Sequence, residues 1–341
     1  MSYIVVSDVH LGSKLCNFDE FCSFLEWILD LKGSPKKVPL KDGAVEIRSP
    51  ERIILLGDIL ELWDPEDGDR DNVVKQCLRP LSLLSDLGCD KVYVMGNHDN
   101  AVSSYEQKID YETLRNGTKL DIWNRHYPDE MAGMRIGDRS YYFLHGHQFD
   151  KAQSILAKVS KILGETWDPL NWFNSQYNTS VTKNHWKLMG ILWAALFVGW
   201  FIKQDLVASS YFLYTVPAAL LFGLFLFSSL PAVVTKSQRR IYDIKKPKDK
   251  TARQIIEEKF YQEQKDTITA DVVVFGHTHF ASSYQGEAGK KKLFINSGSW
   301  VGEDEEIDGK MRYSNTFIYI DEAGAHILRW KGGVVEPLES H

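Results

Sequence analysis

Five times along this 341-residue chain, a short run of β-branched, aliphatic and aromatic residues ends in a cluster of histidine, aspartate or asparagine. The runs are Tyr3–Ser7, Arg52–Leu56, Lys91–Met95, Ser140–Leu144 and Asp271–Phe275. Each is near-continuously apolar, the pattern of a strand buried on both faces. The clusters that follow read, in order, SDVHLG (Ser7–Gly12), GDILELWD (Gly57–Asp64), GNHD (Gly96–Asp99), HGH (His145–His147) and GHTH (Gly276–His279). Six of the ten histidines fall in them. Ligand sites in sheet-based folds lie beyond the carboxyl ends of strands, so one rim of one fold is expected to gather these groups.

Helix-like periodicity separates the runs. Phe21, Phe24, Leu25, Ile28 and Leu29 recur at helical spacing and stop near Gly33. Val73, Val74, Cys77, Leu78, Leu81, Leu84 and Leu87 do so up to Gly88, with Pro80 expected to kink or divide the element. Thr251–Lys265 is a third candidate helix. Such alternation reads as an α/β, or layered α+β, fold with a mixed sheet. Strands at Lys292–Asn296, Thr316–Asp321 and His326–Trp330, with a turn at Asp321–Gly324, are expected to close it in antiparallel fashion.

Composition excludes several classes. Charged residues at 25% and hydrophobic residues at 44% do not fit wholesale disorder. A net charge of −6 argues against a dedicated nucleic-acid binder, and no nucleic-acid partner is expected. Four cysteines with no CxxC pair give no disulfide framework. The start, MSYIVVSD, carries no signal-peptide pattern.

One segment belongs to a different solvent class. From Leu188 to Val234, 47 residues contain only two charges, Lys203 and Asp205. Leu206–Val234 exceeds the roughly 20 apolar residues a membrane-spanning helix needs, while Leu188–Ile202 reaches that length only with its flanks. Seven basic residues against two acids follow in Lys236–Lys250, and Lys183 and Lys187 precede. Basic ends and a near-neutral tip fit a two-helix hairpin, about residues 186–234, with both ends in the cytoplasm. The alternative is a helical pair in a lid or dimer contact. The expected organisation is a discontinuous catalytic domain, residues 1–150 with 250–341, interrupted by a helical insertion at 151–249.

Asp, His and Asn without Cys suit manganese, iron or zinc. Asp8-x-His10 and His277-x-His279 place each pair on one side of an extended segment. With about eight ligand positions, two metals fit better than one, and such a pair can clamp a phosphoryl group and activate water.

The ordered set D-x-H, GD-x-x-E, GNHD, H and GHTH resembles the calcineurin-like metallophosphoesterases. GDILELWD and the SGSW at Ser297–Trp300 resemble the UDP-2,3-diacylglucosamine pyrophosphatase group within it. The resemblance implies a mixed β-sheet sandwich flanked by helices, and two metal ions, manganese first. Asp8, His10, Asp58 and His279 would hold one. Asp58, Asn97, His145 and His277 would hold the other, with Asp58 bridging. His98 would protonate the leaving oxygen or stabilise its charge. Glu61 and His147 are candidates for orienting a ligand or touching phosphate. Trp63 and Trp300 read as packing residues, and Asp64 as a ligand-orienting or helix-start residue. The chain departs from the lipid A pyrophosphatases at His98, where they usually carry arginine, and in its long apolar hairpin.

The expected function is hydrolysis of a phosphate or pyrophosphate bond in a lipid-linked substrate, at the cytoplasmic face of the cell membrane. A membrane-tethered phosphodiesterase or phosphatase acting on a soluble nucleotide or phosphoester is the alternative. A non-catalytic scaffold would require missing ligands, and none is missing.

Overall fold

The computed structural model describes residues 1–41, 43–62, 66, 70–99, 118–123, 125–147, 250–256, 267–286 and 292–338. They belong to a unit that joins Met1–Lys151 with Pro247–His341. The expected insertion at 151–249, with its hairpin, lies outside the described residues, as do Trp63 and Asp64. Among the described residues no helix is long and apolar enough to cross a membrane.

In chain order the elements are β1 (Tyr3–Val6), α1 (Phe18–Asp30), β2 (Lys36–Leu40), β3 (Gly43–Ile47), β4 (Arg52–Leu56), α2 (Arg70–Gln76), α3 (Leu78–Asp86), β5 (Asp90–Val94), β6 (Leu120–Trp123), β7 (His126–Tyr127), β8 (Met134–Ile136) and β9 (Arg139–Leu144). After the insertion come α4 (Ala252–Ile256), β10 (Val272–Phe275), β11 (Ser282–Gln285), β12 (Leu293–Asn296), β13 (Glu305–Ile307), β14 (Lys310–Arg312), β15 (Thr316–Ile320), β16 (Ala325–Lys331) and β17 (Val334–Pro337). All five expected apolar runs form strands.

Two mixed sheets carry the fold. The larger runs β17-β16-β15-β1-β4-β5-β6, and the smaller β11-β12-β10-β9-β7 with β8 paired to β9. β1, β4, β5 and β6 are parallel, while β15 joins β1 antiparallel. The turn after β15 is held by Asp321, whose Oδ1 accepts from the Ala323 and Gly324 amides at 2.8 and 3.2 Å.

Side-chain alternation along the strands builds the layers. Tyr3, Val5, Ile54, Leu56, Val92 and Val94 pack with Tyr141, Phe143, Val272 and Val274 in one core. Ile4, Val6, Ile53, Leu55 and Tyr93 share a second core with Phe21, Phe24, Leu25 and Ile28 of α1. Tyr142, Leu144, Val273 and Phe275 share a third with Ala252, Ile255 and Ile256 of α4. Strands apolar at every position are therefore what a helix–sheet–sheet–helix stack demands.

The helices follow their sequence signals. Acidic Asp19 and Glu20 lie in the first turn of α1, where the helix dipole favours them. The second periodic stretch divides at Cys77 into α2 and α3, and Pro80 sits in the first turn of α3, which needs no N–H there. The expected helix from Thr251 is seen as α4, and residues 257–266 lie outside the description. The β2–β3 hairpin carried no clear signal. It buries Val38, Val45 and Ile47 in the core with Leu40 packed against it, and Lys36, Lys37 and Pro39 mark it as a solvent edge.

Fully buried Trp300 packs as expected. Its ring centroid is 4.8 Å from Phe24 and 5.1 Å from Phe21. Phe24 also meets Phe317 at 4.7 Å and Trp330 at 5.9 Å. Phe24→Ala is expected to lower stability by about 3–5 kcal/mol, read as a reduced urea midpoint at unchanged slope.

Candidate metal centre

The five parallel strands β1, β4, β5, β9 and β10 deliver their C-terminal loops to the same rims of their sheets, and backbone bonds knit those loops together. The Asp8 amide donates to Gly57 O at 3.0 Å, His10 to Asp58 O at 2.9 Å and Gly276 to His145 O at 2.9 Å. Trp300, from the aromatic core, donates its amide to Asp8 O at 3.0 Å.

The local backbone is strained where chemistry is expected. Asp8, His10, Asp58, His277 and His279 all adopt positive φ, between 51° and 71°. Left-handed backbone at a non-glycine residue costs on the order of 1–3 kcal/mol and persists only where surrounding contacts impose it. Gly96 and Gly276 serve close approach. A Cβ at Gly96 would lie 2.1 Å from Asp58 Oδ1, and one at Gly276 2.4 Å from Asp8 Oδ2. Neither could carry a side chain without displacing a carboxylate.

Side chains far apart in sequence meet in three groups, each with ligand atoms within 4.8 Å of one another: Asp8, His10 and His279; Asp58, His145 and His277; His10, Glu61 and His98. Asp8 Oδ1 lies 3.2 Å from His279 Nε2, and Asp58 Oδ2 lies 3.1 Å from His145 Nε2 and 3.9 Å from His10 Nε2. The structure thus groups Asp8, His10 and His279 on one side and Asp58, His145 and His277 on the other, with Asp58 Oδ2 near His10 Nε2 as well. Asn97 is buried in the same loop as His98. His147 stands 5.4 Å, ring to ring, from His145.

A framework of bonds orients these groups. His145 Nδ1 donates to Leu56 O at 2.9 Å, which directs Nε2 to the site. Glu61 accepts from His10 Nδ1 at 2.9 Å and from His98 Nδ1 at 2.8 Å, so one carboxylate sets two imidazoles. Asp8 Oδ2 accepts from the His277 amide at 2.8 Å and from the Ser7 hydroxyl, and Ser7 Oγ meets Ser297 Oγ at 2.6 Å. Asp58 Oδ1 accepts from the His98 amide at 2.8 Å.

Asp99, Ser7 and Ser297 went unassigned in the sequence reading. Asp99 is fully buried and accepts from the Gly96 amide at 2.6 Å, the Ile59 amide at 2.8 Å and Tyr93 Oη at 2.7 Å. It therefore clamps the Asn97–His98 loop to the Asp58 loop. The last letter of GNHD carried that signal. Ser297, in SGSW, braces Ser7, so this motif supports the site through its serine and the core through its tryptophan.

Electrostatics follow from the crowding. Burial would raise Asp8, but the His145 and His279 imidazoles outweigh it and bring it down to about 2. Burial likewise opposes the charge on Asp58 and Glu61, yet their histidine neighbours hold both well below the ordinary carboxylate range. Asp99 goes the other way, to about 6, through burial and repulsion from Asp58. Burial disfavours a charged His145, but Asp58 and Asp8 prevail and raise it to about 10. His147 is pushed well down by burial and by the neighbouring His145 and His277.

The donors fit divalent metals. Asp8 Oδ1 and His145 Nε2 face His279 Nε2 and Asp58 Oδ2 at 3.2 and 3.1 Å, and buried His10 Nε2 and both amide atoms of Asn97 have no hydrogen-bond partner among the described residues. Buried polar atoms are rarely left so, and a run of them on carboxylate, imidazole and amide is the donor set of a borderline-hard cation. A metal would satisfy them.

A family model described as calcineurin-like phosphoesterase matches residues 1–222, which include every expected ligand except His277 and His279. No curated protein matches the sequence. Among solved structures, the chain is similar to a dimetal phosphatase from Danio rerio, at 10% identity and a TM-score of 0.39 over 97% of this chain and 99% of that one. It is similar to wild-type Vps29 complexed with zinc from Entamoeba histolytica, at 10% identity and a TM-score of 0.36 over 98% and 96%. A predicted phosphoesterase from Streptococcus pneumoniae aligns at 12% identity and a TM-score of 0.29 over 99% and 97%.

Metal binding is expected to expel a proton. In the metal-free protein His145 is raised from 6.5 to about 10, so it is charged at pH 7 and its Nε2 cannot donate to a cation. Metal affinity should rise with pH across that window. Pairing with Asp58 stabilises the metal-free fold fully below pH 6.5, and that contribution is lost as pH rises toward 10. Calorimetric titration of Mn2+ at pH 7, in buffers of different ionisation enthalpy, should register proton release. A buffer-independent heat would contradict this.

Proposed function

The chain belongs to the calcineurin-like phosphoesterase family, and from that premise we propose that it is a dinuclear hydrolase acting on a phosphate or pyrophosphate bond of a lipid-linked substrate, at the cytoplasmic face of a membrane. Metal-dependent phosphoester hydrolysis is the activity of the family, and the His/Asp groups on this rim are what such chemistry requires. The observation that carries the reading is the gathering of Asp8, His10 and His279 in one ligand group and of Asp58, His145 and His277 in another.

Two divalent cations, manganese first with iron or zinc as alternatives, would supply neutralisation of the phosphoryl charge and an activated water. Asp8, His10, Asp58 and His279 would hold one, and Asp58, Asn97, His145 and His277 the other. The chain's own residues do the rest. Asp58 is fixed between the groups by the His98 amide on one oxygen and by His145 on the other. Glu61 accepts from Nδ1 of His98 and so fixes the ring, and His98 would act on the leaving oxygen, protonating it or stabilising its charge. The buried rim keeps these charges in a low dielectric, where fixed dipoles count for most.

Two features support the lipid part. The 47-residue apolar segment has basic ends of the kind that keep a hairpin's termini cytoplasmic. The described residues on either side of the insertion in sequence lie beside the site. His147 precedes it, and Lys250, which follows it, accepts from Thr278 Oγ1 of the GHTH loop at 2.7 Å. The resemblance to UDP-2,3-diacylglucosamine pyrophosphatases points to a nucleotide-linked lipid pyrophosphate. His98, in place of their usual arginine, favours a different head group or a soluble phosphoester.

Asp58→Asn should abolish hydrolysis and lower bound metal. Full activity of that variant on every phosphoester tested would defeat the assignment. Deleting residues 186–240 separates the substrates. Selective loss on lipid-linked substrate supports the lipid reading, and equal retention on lipid and soluble substrates moves the assignment to the soluble phosphoester. Release of the intact protein from membranes by alkaline carbonate would replace a spanning hairpin by a lid or dimer contact.

A further inference from the structure

The two histidines of GHTH go to different ligand groups. His279 joins Asp8 and His10, and His277 joins Asp58 and His145. A single residue, Thr278, stands between them, and it is buried. Both of its neighbours hold positive φ, 71° at His277 and 59° at His279. Backbone of that kind persists only where surrounding contacts impose it.

The contact that reaches Thr278 comes from Asn296, the last residue of β12, the strand that pairs with β10. Asn296 is fully buried. Its Nδ2 donates to Gly276 O at 3.1 Å and to Thr278 Oγ1 at 2.7 Å, and its Oδ1 accepts from the Gly298 amide at 2.9 Å. Both amide hydrogens and the oxygen are engaged, which leaves the side chain one orientation, since turning it over would set Oδ1 against Gly276 O. Thr278 Oγ1 in turn donates to Lys250 O at 2.7 Å. The hydroxyl is gripped as acceptor on one side and as donor on the other, and each bond polarises its neighbour in a buried setting.

We propose that Asn296 and the Thr278 hydroxyl form a positioning pair for both ligand groups: by pinning the one residue between His277 and His279, they fix the two imidazoles against their separate partners at once. The inference rests on the dinuclear reading of this rim and adds to it a device that couples its two halves. The bonds of the pair go to one another and to main-chain groups, so it acts through the backbone. Ligand constellations perform only when neighbouring bonds hold them in place before the cation arrives. A loosened Thr278 frees the histidine on each side of it, and both groups lose affinity together.

The test uses the full chain with Mn2+ as the probe, calorimetry for the affinity of each binding step and elemental analysis for metal content. Thr278→Val keeps the shape and removes the hydroxyl, and should weaken both steps by about tenfold, the low end of what outer partners of metal ligands contribute. Thr278→Ser keeps the hydroxyl and removes the methyl, and should bind Mn2+ as the wild type does. A threonine that merely packs would give the reverse order, with the Ser variant the weaker, and that order overturns the proposal. Undiminished affinity in the Val variant overturns it as well, and so does a loss confined to one step, which would make the two groups independent of a shared pin. Should the Val variant fail to fold by circular dichroism, Thr278→Ala against Thr278→Ser carries the same contrast, because those two differ by the hydroxyl alone. A wild-type protein that binds fewer than two Mn2+ removes the dinuclear reading together with this one. A wild type that binds two while the Val variant matches it removes only the role of Asn296 and Thr278.

Discussion

Two buried carboxylates set the terms for this molecule. Asp8 and Asp58 are at most 1% exposed, and among the described residues their ion-pair partners are histidines alone. A carboxylate taken out of water is costly unless paired and hydrogen-bonded, and an imidazole is a conditional counter-charge. The surrounding amides of His98 and His277 and the Ser7 hydroxyl satisfy one oxygen of each. The other oxygens face imidazole nitrogens, an arrangement that a divalent cation would complete.

That requirement explains the strain. Five residues of the rim sit at positive φ, a conformation most side chains avoid. Aspartate and histidine tolerate it better than bulky or β-branched residues. The inter-loop bonds of Asp8, His10 and Gly276, together with the Asp99 clamp, hold the loops where the ligands converge. The layered cores beneath provide the rigidity. Trp300 links the two levels, its ring in the aromatic cluster and its amide on Asp8 O.

Much of this was legible in the chain. Tyr3–Val6, Arg52–Leu56 and Val272–Phe275 are apolar at nearly every position because both faces are covered, and the α1 periodicity shows its buried stripe. The β2–β3 hairpin and the half-buried β6 were not legible, since edge strands need no continuous apolar run. At the site, histidines and aspartates at strand ends announced a metal rim. Ser7, Ser297 and Asp99 did not announce themselves, because their bonds go to backbone amides and to other side chains far along the chain.

Local order decides what a chain can place at the end of each strand, since side-chain alternation and glycine positions are properties of a few consecutive residues. For this protein it determined the buried strands, the main helices and the stock of imidazoles and carboxylates at their ends. Tertiary structure alone decided which of them meet: that Glu61 holds both His10 and His98, that Asp58 lies near His10 as well as His145, and that His147 stands 5.4 Å, ring to ring, from His145. Those relations depend on distances between strands paired across the whole chain, and no local pattern encodes a distance of that kind.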